Sequence, residues 1–131
     1  MKRSDRRNYI KNGRVLVSPT VYAIVKTDRA CSDALAVIKD NRETTCVVEE
    51  SKLRAQKFLG IEGGWRMITF DMVLPFSLVG FFALVAGALA EAGISIFSIS
   101  AYSTDHVFVK GHDLEKAVKT LEKLGMSVRR L

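Results

Sequence analysis

Residues 65–110 read WRMITFDMVLPFSLVGFFALVAGALAEAGISIFSISAYSTDHVFVK, and the way this stretch divides decides the fold. WRMITFDM alternates: Trp65, Met67, Thr69 and Asp71 point one way and Arg66, Ile68, Phe70 and Met72 the other, the period of a strand. Pro75 stops it. Ser77 offers a side-chain oxygen to the amides of a first helical turn, which predicts a helix over 77–92 with Gly93 as its left-handed stop. Leu78, Phe81, Phe82, Val85 and Leu89 share one face at helical spacing. Each, fully buried, contributes roughly 1.5–3 kcal/mol of transfer free energy. Gly80, Ala83, Gly87 and Ala90 form a stripe of small residues on the opposite side, open to close approach by another element. The apolar run from Met72 to Ala90 is about as long as a bilayer requires. Pro75 and Ser77 shorten the helix, however, Asp71 and Glu91 bracket it, and a strand follows, so the sequence predicts a buried helix and no membrane partner.

Beyond this stretch, 111–125 carries a second helix. Asp113 is its expected N-cap, Leu114, Ala117, Val118, Leu121 and Leu124 its buried stripe, and Glu115 with Lys119 an i,i+4 pair on the wet face. Gly125 stops it, and MSVRRL closes as an edge strand with Met126 and Val128 inward and Arg129 outward. From residue 65 onward the order is therefore βαββαβ, the α+β ferredoxin-like sandwich. Upstream, VLVSPTVYAIVKT (15–27) is broken by Pro19 and predicts a strand at Val21–Lys26. The segment after it reads either as a helix over Asp33–Lys39 capped by Ser32 or Asp33, or as a hairpin over Ala34–Glu49 turning at DNRE; the hairpin fits better. SKLRAQKFL (51–59) has helical composition, ended by Gly60, Gly63 and Gly64. The first half thus repeats the order of the second in reduced form. The expected division is a basic, structureless tail over 1–18, a degenerate repeat over 19–64 and a complete unit over 65–131.

With 48% hydrophobic and 26% charged residues in 131, the chain has the composition of a folded domain and is not disordered throughout. Cys31 and Cys46 are too few for a disulfide framework or a zinc site, so neither metal nor cofactor is expected and a reducing cytoplasm is the default location. The formal charge of +6 is concentrated at the start. Lys2, Arg3, Arg6, Arg7, Lys11 and Arg14 against Asp5 give +5 within the first 14 residues, leaving +1 for the rest. Such an arm can contact phosphate backbones or anionic lipid, or act only as a solubilising tail. No apolar segment follows it as a secretory signal would require.

Gly80 opening an apolar helix, thirteen positions before Gly93 in an AG pair, and then ISIFSIS, resembles the ACT domain pattern of amino-acid-responsive regulatory modules. The fuller string PFSLVGFFALVAGALAEAGISIFSISAYSTDHVFVK is similar to the branch found in cytosolic arginine sensors and small bacterial tandem-ACT proteins, with PFSLV where commoner modules have a short acidic turn. The resemblance is dense over 65–124 and thin before it. It implies a regulatory fold that binds an amino acid or similar zwitterion at an interface between two modules and acts on a partner protein; the small-residue stripe and the exposed sheet edges separately predict a homodimer. The residues themselves agree in part. The helix start at Ser77, Leu78, Val79 and Gly80 presents amides and a positive dipole end suited to a carboxylate. Gly80 either lets a ligand reach the backbone or lets helix and strand pack closely. In Ile94, Ser95, Ile96 and Phe97 the alternation predicts a bulge near Phe97 or Ser98, because continuing it would bury Ser98 and expose Ile99. Asp105, opening the next strand, either pairs with a ligand cation or bonds its own turn in YSTD.

Two other classes fit less well. An enzyme would have to use Ser103, Asp105 and His106, but strand neighbours point to opposite faces, so Asp105 cannot orient His106 as a relay and no catalytic residue is expected. A sheet that stacks nucleic-acid bases would use Phe97, Tyr102 and Phe108, which lack interleaved cations. The alternative to ligand sensing is therefore a ligand-free interaction module whose basic tail touches nucleic acid.

Overall fold

The computed structural model describes residues 3–53 and 58–131, with side chains from residue 7 onward. In chain order the elements are α1 (Arg3–Lys11), β1 (Arg14–Thr27), β2 (Ala36–Lys39), β3 (Thr44–Glu49), β4 (Gly60–Phe70), α2 (Phe81–Glu91), β5 (Ile96–Ser100), β6 (Asp105–Lys110), α3 (Leu114–Leu124) and β7 (Ser127–Arg130). They form two compact units, Met1–Pro19 with Arg66–Leu131, and Thr20–Trp65, so β1 and β4 each give residues to both.

The larger unit is built on period-2 burial. Val15 and Val17 of β1, Ile68 and Phe70 of β4, and Val107 and Val109 of β6 are buried in one core with Phe81, Val85 and Leu89 of α2 and Leu114, Ala117, Val118 and Leu121 of α3. The order β4, α2, β5, β6, α3, β7 is the expected βαββαβ, and β6 lies between β4 and β5. β7 completes it by pairing in parallel with β1, Arg14–Val17 facing Ser127–Arg130. Met126 is buried, Val128 packs on the core and Arg129 is exposed, as the edge-strand reading requires. Both helices end where their glycines predicted, at Gly93 (φ 77°) and Gly125 (φ 109°). In each case the next amide reaches back, Ile94 to Leu89 O at 3.0 Å and Met126 to Leu121 O at 3.2 Å, the bonding of a Schellman stop.

Several local expectations are corrected. The basic terminus is not structureless: α1 turns Ile10 into the core, 6% exposed, and packs Tyr9 beside it. Charge dominates its composition, but two adjacent apolar residues suffice to dock it. Pro19 does not break β1, because β7 pairs only to Val17 and β3 begins at Tyr22, so the missing N–H falls between the two registers. α2 starts at Phe81, not Ser77, since a turn joins Leu78 N to Pro75 O at 2.9 Å and Gly80 takes φ 85° as the N-cap. No bulge interrupts β5: Ile96–Ser100 pair continuously with Val109–Asp105 of β6. Ser98 stays exposed there because β5 is an edge strand. Gly87 has open space where a Cβ would lie, and Ala83 and Ala90 of the same stripe are exposed among the described residues. Glu115 bonds Arg130 at 2.8 Å instead of Lys119.

The smaller unit holds the hairpin. β1 pairs antiparallel with β3, Tyr22 with Glu49 through Thr27 with Thr44, and β2 pairs with β3, Ala36 with Val47 through Lys39 with Thr44. The DNRE turn closes on Asp40, whose carboxylate accepts from the Arg42 and Glu43 amides at 2.8 and 2.9 Å. These bonds hold its pKa below the ordinary carboxylate value. Ala23, Val25, Cys46 and Val48 form the core, flanked by Cys31, Ala34, Leu53 and Phe58. Of the helix expected over 51–59, residues 54–57 lie outside the described residues; beside them are a 3-10 turn at Glu50–Lys52 and an extended Leu53. The glycines thought to stop that helix begin β4 instead, where the Gly64 amide donates to Glu50 Oε1 at 2.7 Å.

Gly13 joins α1 to β1 in a space that excludes a side chain. A Cβ there would lie 2.6 Å from the Tyr9 carbonyl oxygen and 3.1 Å from that of Ile10. Gly13→Ala should destabilise the fold by about 1–3 kcal/mol, read as a lower urea midpoint at unchanged slope.

Candidate ligand pocket

Ten residues, 71–80, carry the chain from β4 to α2, and hydrogen bonds fix their course. Asp71 N donates to Arg14 O at 2.8 Å, and the Asp71 carboxylate accepts from Arg14 Nε at 3.0 Å. Leu74 N then donates to Ser103 O at 2.7 Å, tying the loop to the β5–β6 turn, itself closed by Ala101 N to Thr104 O at 2.8 Å. Gly80, in the left-handed conformation, turns the chain into α2, and its carbonyl accepts the helix's first bond, from Leu84 N at 3.1 Å.

Between loop, turn and helix start lies a cavity of about 290 Å³. Leu74, Pro75, Leu78, Phe81 and Phe82 supply apolar wall, and Ser100, Ser103, Thr104 and Asp105 the polar part. Phe76 and Tyr102 stand at its rim in an edge-on contact, centroids 4.9 Å apart and planes at 82°, although they are 78% and 81% exposed. The amides of Phe81, Phe82 and Ala83 have no carbonyl four residues back within α2, so the positive end of the helix dipole faces the same space. Asp105 is the one charged residue lining it among the described residues.

The structure brings together only some of the residues chosen from sequence. Leu78, Gly80 and Asp105 line the cavity; Ser77 and Val79 belong to the same loop but do not line it. Ile94, buried in the core, exposed Ser95, and Ile96 and Phe97 at the start of β5 lie at the other end of α2. An eleven-residue helix is about 16 Å long, so they belong to a different place from its N-terminus. Missed from the sequence were the rim pair and the hydroxyls of Ser100 and Thr104, although AYSTD already marked a polar turn beside Asp105. Among the described residues no group of three His, Cys, Asp or Glu is placed to hold a metal ion, and no helix is long and apolar enough to cross a membrane.

His106 is next to Asp105 in the strand but does not line the cavity. Its Nδ1 lies 2.9 Å from Thr69 Oγ1 and its Nε2 3.4 Å from Thr104 Oγ1. A neutral ring matches this pair, donating through one nitrogen and accepting at the other. Burial pushes its pKa below the ordinary 6.5, and the Asp105 carboxylate opposes that shift.

A ferredoxin-like unit with a small cavity at its first strand-to-helix loop is the class of domain that this half of the chain defines. Residues 60–123 match the ACT domain family. No functionally curated relative matches the sequence. Among solved structures, a protein from Agobacterium tumefaciens is 22% identical with a TM-score of 0.80, covering 92% of this chain and 94% of its own. A Vibrio cholerae protein of unknown function, considered a possible transport protein, is 24% identical with a TM-score of 0.75, over 93% and 97%. The regulatory subunit of aspartate kinase from Thermus thermophilus, solved ligand-free, is 10% identical with a TM-score of 0.63, over 86% and 95%. At these identities the shared property is the fold.

Because the fold holds His106 below its unfolded pKa, the unfolded chain takes up the proton first as the medium acidifies. The contribution is complete above the ordinary value of 6.5 and is lost as pH falls from there through the lowered folded value. The melting temperature should therefore drop between about pH 7.5 and about pH 5, and His106→Gln should flatten that part of the profile. An equal slope in the variant would assign the loss to other groups.

Proposed function

We propose that this protein is a cytoplasmic regulatory module that binds an amino acid or similar zwitterion in the loop cavity and transmits its presence to a partner protein. The observation that carries the reading is the meeting of two opposite electrostatic features in about 290 Å³: the first-turn amides of α2 and the Asp105 carboxylate. A carboxylate is held at the amides and an ammonium or guanidinium at Asp105, with Ser103 and Thr104 beside it. The ACT domain match supports this reading, as does likeness of fold to a regulatory subunit.

The protein acts as a homodimer, with the second copy closing the cavity. Support comes from the apolar residues beside the mouth that water now covers: Val73 is 70% exposed, Phe76 78%, Val79 65% and Tyr102 81%. Ala83, Gly87 and Ala90 add an exposed small-residue stripe on α2. Sedimentation should give a dimer at tens of micromolar, roughly the range in which weak regulatory dimers persist; a monomer there would remove this part of the reading.

A thermal-shift screen against the twenty amino acids tests the ligand. At about a hundred times its dissociation constant, a ligand stabilises the fold by roughly 2.7 kcal/mol, several degrees in melting temperature. Ala83→Leu, compatible with the helix but filling the cavity, should abolish the shift. Asp105→Asn should weaken ligands with a positive group by about 1.5–3 kcal/mol. If no amino acid moves the wild-type melt, the chain is a ligand-free interaction module.

A further inference from the structure

Cys31 and Cys46 are fifteen positions apart, yet residues 28–35 fold back over β3 so that the Cys31 amide donates to Cys46 Sγ at 3.3 Å. The Leu35 amide, bonded to Val47 O at 2.8 Å, holds the returning chain at that strand. Cys46 is central in β3, between Val25 of β1 and Val37 of β2, and is 0% exposed. Cys31 packs on the same cluster of Ala23, Val25 and Val48 but keeps part of its surface in solvent. One thiol is reachable and the other is shielded behind it.

We propose that this pair is a thiol–disulfide site in which Cys31 is the attacking thiol, Cys46 the resolving thiol, and the co-substrate a low-molecular-weight disulfide such as oxidised glutathione. The geometry suits the bond. Adding one N–Cα bond to the 3.3 Å contact places the Cys31 Cα within about 4.8 Å of the Cys46 sulfur. A disulfide needs its two Cα atoms about 4.4–6.8 Å apart, a separation that this approach of the Cys31 backbone to the Cys46 sulfur brings within reach.

The exchange balances without any other oxidant. The Cys31 thiolate attacks one sulfur of the small disulfide; a Cys31 mixed disulfide forms, the S–S bond of the reagent breaks, and one small thiolate leaves. Cys46 then attacks the Cys31 sulfur, its proton going to the small thiolate as it departs; the Cys31–Cys46 bond forms, the mixed disulfide breaks and the second small thiol leaves. Two protein thiols are oxidised and one disulfide is reduced to two thiols. The product clamps residues 28–35, which lead into β2, against β3. A single pair is no structural framework, and the site is open or closed according to the thiol poise around it.

The test uses the folded full-length protein with oxidised glutathione and intact-mass analysis, thiols being trapped with acid. The expected product is two hydrogens lighter than the starting chain, carries no glutathione, and returns to the starting mass with dithiothreitol. Trypsin, which cuts after Arg29, Lys39, Arg42 and Lys52, should then release residues 30–39 linked to residues 43–52. Cys46→Ala should stop at one glutathione on Cys31, and Cys31→Ser should stay unmodified for as long as it remains folded. The proposal falls if wild type accumulates the glutathione adduct without losing it, or if Cys46 in Cys31→Ser reacts as fast as Cys31 does. The wild-type result decides even where a variant fails to fold.

Discussion

Phe70 and Phe81 meet edge-on, ring centroids 5.6 Å apart and planes at 87°, and both are buried. One is the last residue of β4 and the other the first of α2. Their contact therefore pins both ends of the connection, and the residues between must arch out over the end of the sheet. An aromatic pair in this geometry adds about 0.5–1.5 kcal/mol to the burial of the two rings. The larger effect is positional. With the helix start fixed against the strand end, the loop bonds itself in one turn, Leu78 N to Pro75 O, and bonds its neighbours at Arg14 and Ser103.

The cavity follows from that constraint. Loop and β5–β6 turn approach each other at Leu74 and Ser103, while Gly80 bends the chain sharply enough to leave space in front of the first helical turn. A residue with a Cβ is strained at φ 85°, so the bend depends on glycine more than on any ligand contact of position 80. To the two explanations given for Gly80 from sequence, backbone access and close packing, the left-handed conformation adds a third, the direction of entry into α2.

What was legible in the sequence divides along physical lines. The stripe Leu114, Ala117, Val118, Leu121, the stops at Gly93 and Gly125, the hairpin and the βαββαβ order all rest on periodicity or on a residue that permits one conformation, and the structure has them. Readings that needed tertiary context went astray. Ser77 looked like a cap because capping rules weigh side chains, whereas a left-handed glycine three residues on decided the boundary. Ser98 suggested a bulge because alternation was taken to imply burial, which an edge strand does not require. The amino terminus looked like a tail because six cations outweigh Tyr9 and Ile10 in any composition, though those two residues dock it. Four of the nine proposed contacts, Ile94 to Phe97, follow α2 in sequence and so lie at the opposite end of it from Leu78, Gly80 and Asp105.

Charge shows the same gap between composition and site. A chain of net +6 invites a polyanionic partner, yet the cavity is lined by one carboxylate and no described cation. Two surface cations are engaged in pairs away from the cavity lining, Arg14 with Asp71 at 3.0 Å and Arg130 with Glu115 at 2.8 Å. Exposed pairs of this kind add about 0–1 kcal/mol each to stability, and screening over roughly 8 Å at physiological salt keeps more distant charges from acting strongly on the cavity. What a bound molecule meets is local: amide dipoles on one side and Asp105 on the other. On the proposed reading, that pairing selects for a molecule bearing both charges close together, and the basic composition of the chain tells nothing about which one it is.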